Sequence, residues 1–145
     1  MGEARKAIDR MTEAMVTHDR AALAAAYAGD AVATTPDEGE LKGRDEIVRY
    51  LGGLLDAIPD FRWESLAEHE SGSTSVDEGW VVGTNIGPLV LPNGDTLAAT
   101  SKAVRVRGCD VATVEDGLIV RHNFYFDQME LLTQLGLAAG VTPLR

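Results

Sequence analysis

The feature that most constrains this chain is the alternation from Cys109 to Asp127, CDVATVEDGLIVRHNFYFD, which reads as two strand arms joined by a turn at Glu115-Asp116-Gly117. Outside the turn the even positions are Asp110, Ala112, Val114, Leu118, Val120, His122, Phe124 and Phe126. Strand side chains alternate between faces, so this largely apolar set is expected to point inward and to carry an acid and an imidazole with it. The odd positions, Cys109, Val111, Thr113, Ile119, Arg121, Asn123, Tyr125 and Asp127, suit a surface or a subunit contact.

Register depends on the turn. A three-residue loop with Gly117 left-handed pairs Val114 with Leu118, Ala112 with Val120 and Asp110 with His122. A two-residue Asp116-Gly117 turn instead sets Asp110 across from Asn123 and Val114 across from Ile119, which puts Asp110 and His122 on opposite faces. The three-residue loop is preferred because it gathers the apolar residues of both arms on one side.

The rest of the chain supplies helices first and strands afterwards. Ile8, Met11 and Met15 mark a helix from Glu3 to about Thr17, and Asp19 caps a second, from Arg20 to Ala28, ended by Gly29. Ala31 to Thr35 reads as a short strand before the turn Pro36-Asp37-Glu38-Gly39. A third helix after Gly43 carries Ile47, Val48, Leu51, Leu54, Leu55 and Ile58, is weakened by Gly52 and Gly53, and stops at Pro59. Strands are expected over Phe61 to His69, Val76 to Ile86 and Leu97 to Arg107, with a turn at Pro92-Asn93-Gly94-Asp95 and a last helix from Gln128 to Leu135. This order predicts an α+β domain with helices on one side of a curved sheet.

Bulk properties narrow the function. At 145 residues and 45% hydrophobic the chain fits a single domain over residues 1–145, able to bury roughly 68–70% of its unfolded surface. Its 13 basic and 23 acidic residues give a net charge of −10, which repels phosphate backbones and anionic lipid heads, so neither nucleic acid nor membrane is an expected partner. One cysteine, Cys109, excludes an internal disulfide framework. No apolar run approaches the ~18 residues of a membrane span, and the amphipathic start lacks the apolar core of a secretory signal, so a cytoplasmic location is expected. Three scattered histidines and one cysteine offer no metal-ligand spacing, and neither metal nor cofactor is expected.

Together, GRDEI (Gly43 to Ile47), IPDF (Ile58 to Phe61), GTNIG (Gly83 to Gly87), EDGLIVRH (Glu115 to His122) and FDQMELLTQLGL (Phe126 to Leu137) resemble the SnoaL-like polyketide cyclases of the nuclear transport factor 2-like superfamily. The resemblance covers roughly residues 3–137. It implies a cone-shaped domain with a deep apolar pocket, often dimeric, on a scaffold that hosts cyclases, isomerases, epoxide hydrolases, dehydratases and non-catalytic binders.

Carried over by position, Asp110 falls where the cyclases place a pocket histidine and ketosteroid isomerases a protonated aspartate, and His122 matches a cyclase pocket histidine. Phe124 departs from the pattern, standing where the cyclases and the limonene-type epoxide hydrolases carry an aspartate. The isomerases' tyrosine donor aligns with Met11 and their basic aspartate with Thr34 or Thr35. Asn85 stands where many relatives carry histidine, and is expected to contact substrate.

Asp110 and His122 are therefore the catalytic candidates, since a carboxylate beside an imidazole in an apolar pocket suits proton transfer. Asn85 or Tyr125 is expected to orient the substrate, and Phe61, Trp63, Trp80, Phe124 and Phe126 to line its cavity. Asp127, followed by Glu130, reads as a helix cap, and Cys109 as an inert outer-face thiol. The expected activity is cofactor-free acid/base chemistry on an apolar carbonyl compound, such as a polyketide, terpenoid or steroid-like molecule, in a homodimer. The alternative is a binding or dimerising protein of the same fold.

Overall fold

The computed structural model describes residues 2–91 and 93–137. The Ile8, Met11 and Met15 stripe forms one face of α1 (Glu3–Val16) and is buried together with Ala4, Ala7 and Ala14. The start of α1 is held from a distant strand: the Glu70 carboxylate accepts from the Gly2 and Arg5 amides at 2.8 and 2.9 Å. That supplies acceptors to N–H groups which have no partner inside the helix.

Asp19 caps α2 (Arg20–Ala25) by accepting from the Ala22 amide at 2.9 Å. The helix stops earlier than its alanines suggest. Tyr27 opens β1 (Tyr27–Thr35), which pairs antiparallel with β2 (Gly39–Lys42), so the strand expected from Ala31 begins four residues sooner and Gly29 lies inside it. The Tyr27 pairing with Ile119 is long-range, and sheet formation here overrides local helix propensity.

The third helix, α3 (Arg44–Ala57), has a physical reason for one of its glycines. A Cβ on Gly52 would lie 2.3 Å from the Arg20 guanidinium, which donates to the Gly52 carbonyl at 3.2 Å and to Asp56 at 2.6 Å. Gly52 thus makes room for the α2–α3 tie.

Four long strands complete the sheet: β3 (Arg62–Ser71), β4 (Thr74–Thr84), β7 (Ala103–Glu115) and β8 (Leu118–Phe126). A two-stranded ribbon, β5 (Leu89–Val90) with β6 (Thr96–Leu97), sits between β4 and β7, and Pro92 of its expected turn lies outside the described residues. The strand expected over Leu97 to Arg107 and the first arm of the hairpin are one continuous β7. The order is β2-β1-β8-β7-β4-β3, antiparallel except between β1 and β8, and three register shifts give it the bulges that bend a sheet. Both α1 and α3 pack on one face of it. After β8, Asp127 accepts from the Met129 and Glu130 amides and caps α4 (Gln128–Gln134), as expected. Among the described residues no helix is long and apolar enough to cross a membrane.

The hairpin register corrects the sequence reading. Asp116 and Gly117 take φ of 51° and 77°, a two-residue turn with Glu115 opposite Leu118 and Val114 opposite Ile119. Pairing then shifts, with Thr113 opposite Arg121, so Val120 is an extra residue on β8. The bulge restores the inward face: Ala112 lies opposite His122 and Asp110 opposite Phe124. A three-residue loop and a two-residue turn followed by a bulge produce the same apolar alternation in the outer part of the hairpin, which is why the pattern alone favoured the wrong turn.

Candidate active site

Between α1, α3 and the concave sheet face lies a cavity of about 110 Å³. Met11 and Met15 line it from α1, Tyr50, Leu51 and Leu54 from α3, and Phe61, Trp63, Val81, Phe124 and Phe126 from the sheet side. The polar groups that reach it include Thr12, Asp77, Cys109 and Asp110. An apolar hollow with a few convergent polar groups is the usual form of a small-molecule site.

Asp110 and His122 do share a face, but as diagonal rather than direct neighbours. Asp110 Oδ2 lies 2.5 Å from His122 Nε2, and the other ring nitrogen, Nδ1, lies 2.7 Å from the Tyr27 hydroxyl. Tyr27 and His122 are fully buried, whereas 16% of the Asp110 side chain remains exposed. His122 does not line the cavity; Phe124 covers it, with ring centroids 4.0 Å apart. His122, expected as a catalytic group, lies behind Asp110 and does not border the cavity.

Hydrogen-bond accounting fixes the direction of this relay. Burial, and secondarily the charge of Asp110, pushes the Tyr27 phenol well above its usual range, so it keeps its proton. The only side-chain partner of Tyr27 among the described residues is Nδ1, which must then accept. Nε2 carries the ring proton and donates to Asp110 Oδ2. Oδ1 of Asp110 has no hydrogen bond among the described residues, and the residue borders the cavity.

A second carboxylate stands beside it. Asp77 is the direct cross-strand partner of Asp110 and also lines the cavity, but both its oxygens receive Arg5, at 2.5 and 3.0 Å. Both residues are buried. Burial pushes the Asp77 carboxyl up and Asp110 adds to this, while the Arg5 guanidinium opposes it; Arg5 in turn holds its proton more tightly because of its bond to Asp77. These tendencies compete, and the two-pronged contact decides for an ionised pair, since guanidinium does not lose its proton near neutrality.

Other expected site residues fall elsewhere. Asn85 is buried away from the cavity, donating to the Ala57 and Gly87 carbonyls at 3.1 and 3.0 Å and accepting from the Thr100 amide and hydroxyl at 2.8 and 2.9 Å. It is a loop clamp with its amide fully used. Trp80 points from the opposite sheet face, under Arg105 at 4.6 Å, and does not line the cavity. Tyr125 borders the cavity with 56% of its surface exposed. Cys109 borders it too, and burial, with Asp110 next, raises its thiol away from the reactive thiolate. No cluster of three metal-ligating side chains occurs among the described residues.

Tyr27, Arg5, Asp77 and Thr12 are among the site residues that the sequence reading missed. Arg5 left a trace, a cation three residues before Ile8 on the apolar side of α1. Asp77 left another, an acid on the inward-facing odd positions of β4. Tyr27 left none, because its place in the relay depends on the early end of α2.

Comparison with known proteins agrees with this architecture. The family model of the SnoaL-like domain matches residues 8–122. A SnoaL-like polyketide cyclase candidate from Jannaschia sp. CCS1 superposes with a TM-score of 0.77 at 13% identity, over 92% of this chain and 91% of that one. IdmH, a candidate polyketide cyclase from Streptomyces antibioticus, gives 0.76 at 21% identity, over 93% and 99%. An epoxide hydrolase from M. tuberculosis, described as LEH-like, gives 0.70 at 19% identity, over 92% and 89%. At these identities the likeness is one of fold. No curated protein gave a significant sequence match.

Proposed function

The chain belongs to the SnoaL-like domain family, and from that premise we propose that it is an acid/base enzyme that moves a proton next to the carbonyl of an apolar substrate, in an isomerisation, cyclisation or dehydration. One observation carries this reading: Asp110 borders an apolar cavity with one carboxylate oxygen held by His122 and the other without a hydrogen bond among the described residues. Asp77, the neighbouring carboxylate, has both oxygens engaged by Arg5 and is not free to act as a base.

In the proposed step Asp110 Oδ1 takes a proton from the carbon next to the carbonyl, and the electron pair of that C–H bond forms the enolate. Return of the proton to another atom completes an isomerisation. The His122 Nε2–H, anchored by Tyr27, holds Asp110 in place throughout. Developing charge on the substrate oxygen needs a donor. Thr12, which borders the cavity from α1 and whose hydroxyl has no side-chain partner among the described residues, is better placed than the occupied Asn85. Phe61, Trp63, Phe124 and Phe126 would contact the apolar body of the substrate.

Turnover of a panel of cyclic enones and 1,3-dicarbonyl compounds by wild type and Asp110→Asn tests the proposal. The variant should lose about 10²–10⁴-fold in rate with its fold intact; equal turnover would contradict it. Phe124, occupying the place where relatives carry an acid, favours one alternative, a binding protein that raises its melting temperature with an apolar ligand and returns it unchanged.

A further inference from the structure

Asp77 and Asp110 are direct partners on adjacent strands, and both border the cavity. Side chains so placed have Cβ atoms about 4.5–5.5 Å apart, and like charges there oppose the pairing. Two carboxylates this close meet the repulsion in one of two ways: they share a proton, or a cation stands against one of them. The chain takes the second way. Its cation is Arg5, buried in the first turn of α1, with its two terminal nitrogens on the two oxygens of Asp77.

No neighbouring group can replace it. On α1 the Arg5 Nε donates to Asp9 at 3.0 Å; from β3, Glu68 comes within 3.9 Å of the same nitrogen; Glu78 and Cys109 flank the pair on its own strands. These are all acids. From β8, His122 serves Asp110 as a neutral donor, because its Nδ1 accepts from Tyr27. Burial first, then Asp110 and Glu68, push the Asp77 carboxyl up, and it is Arg5 that pulls it down. The Arg5 amide donates to Glu70 at 2.9 Å, which holds this turn of α1, and the guanidinium with it, against the sheet.

We infer that Arg5 keeps the Asp77–Asp110 pair free of a shared proton, and is thereby a positioning residue for the proton transfer although it does not border the cavity. Its action runs through Asp77. The inference rests on the reading of Asp110 as the base and adds what keeps that base able to accept: a proton held between the two carboxylates would occupy the place that the proton of the substrate must take.

Infrared spectra of the whole protein at neutral pH test it. The C=O band of a protonated carboxylic acid, absent from wild type, should appear in Arg5→Met and in the milder Arg5→Gln. It should be absent from Arg5→Lys, which keeps the charge, and from Arg5→Met with Asp77→Leu, which leaves no second carboxylate to share with. Exchange of solvent deuterium into cyclic enones supplies the second readout. Arg5→Gln should run about tenfold or more below wild type at neutral pH and recover as the pH rises and the shared proton leaves the pair. A merely structural role would lower the rate alike at every pH.

Absence of the band from a folded Arg5→Met or Arg5→Gln, or a rate loss that does not depend on pH, would overturn the inference. Should neither variant fold, a band in Arg5→Lys or in the double variant would overturn it, and its absence from both would support it. Asp110→Asn separates the two readings. If it keeps full turnover while the band appears as expected, the proposed chemistry fails and the role of Arg5 in the pair stands; if it loses turnover and no band appears, the chemistry stands and the role of Arg5 fails.

Discussion

The ring of Phe124 lies 4.0 Å, centroid to centroid, from the imidazole of His122, and covers it on the cavity side. A histidine in that position without a cover could meet substrate directly. Here it is fully buried, and its chemistry is confined to two neighbours, Tyr27 and Asp110. On the proposed reading, proton transfer is thereby left to the carboxylate of Asp110.

Removing the anchor of the relay should be felt first in stability. Tyr27→Phe leaves Nδ1 of a fully buried imidazole without a partner, at an expected cost of about 1–3 kcal/mol. Urea unfolding checks it, and a change of less than a few tenths would mean that His122 finds another donor.

Alkaline pH should weaken the fold through two phenols. Burial raises both Tyr27 and Tyr50, with the charges of Asp110 and Asp37 respectively adding to it. The unfolded chain gives up these protons near pH ~10 while the folded one keeps them. Stability is thus unaffected by these groups below that pH and falls as pH rises above it. In a spectrophotometric titration, phenolate absorbance from Tyr27 and Tyr50 should emerge only with loss of the native circular dichroism. Their smooth ionisation in the folded protein would contradict the burial assigned to them.

Much of this architecture was legible in the chain. The stripe of Ile8, Met11 and Met15, the stop before Pro59 and the Asp127 cap are local signals, and the elements follow them. What escaped depends on contacts distant in sequence. The end of α2 is set by the pairing of Tyr27 with Ile119, and the hairpin register by a bulge at Val120 that alternation cannot distinguish from a longer turn. The Asp110–His122 shared face was read from the apolar alternation, and the structure reaches it by the bulge at Val120; the depth of each residue was not legible, since it depends on how Phe124 packs.

The Arg5–Asp77 pair offers a double-mutant test. Arg5→Met should cost about 3–5 kcal/mol, because it strands a buried carboxylate next to Asp110, whereas Arg5→Met with Asp77→Leu should recover most of that loss. Chemical denaturation of the single and double variants decides it. Simple additivity of the two changes would mean that the residues do not act as a pair.

The most direct measurement is enzyme-dependent exchange of solvent deuterium into the carbon next to the carbonyl of a conjugated ring ketone, followed by NMR for wild type, Asp110→Asn and His122→Gln. Rapid exchange by wild type, loss of about 10²–10⁴-fold in Asp110→Asn and a smaller loss in His122→Gln are expected, because His122 acts only through the carboxylate that it holds. Exchange that survives in Asp110→Asn but disappears in His122→Gln would contradict the assignment of Asp110 as the base.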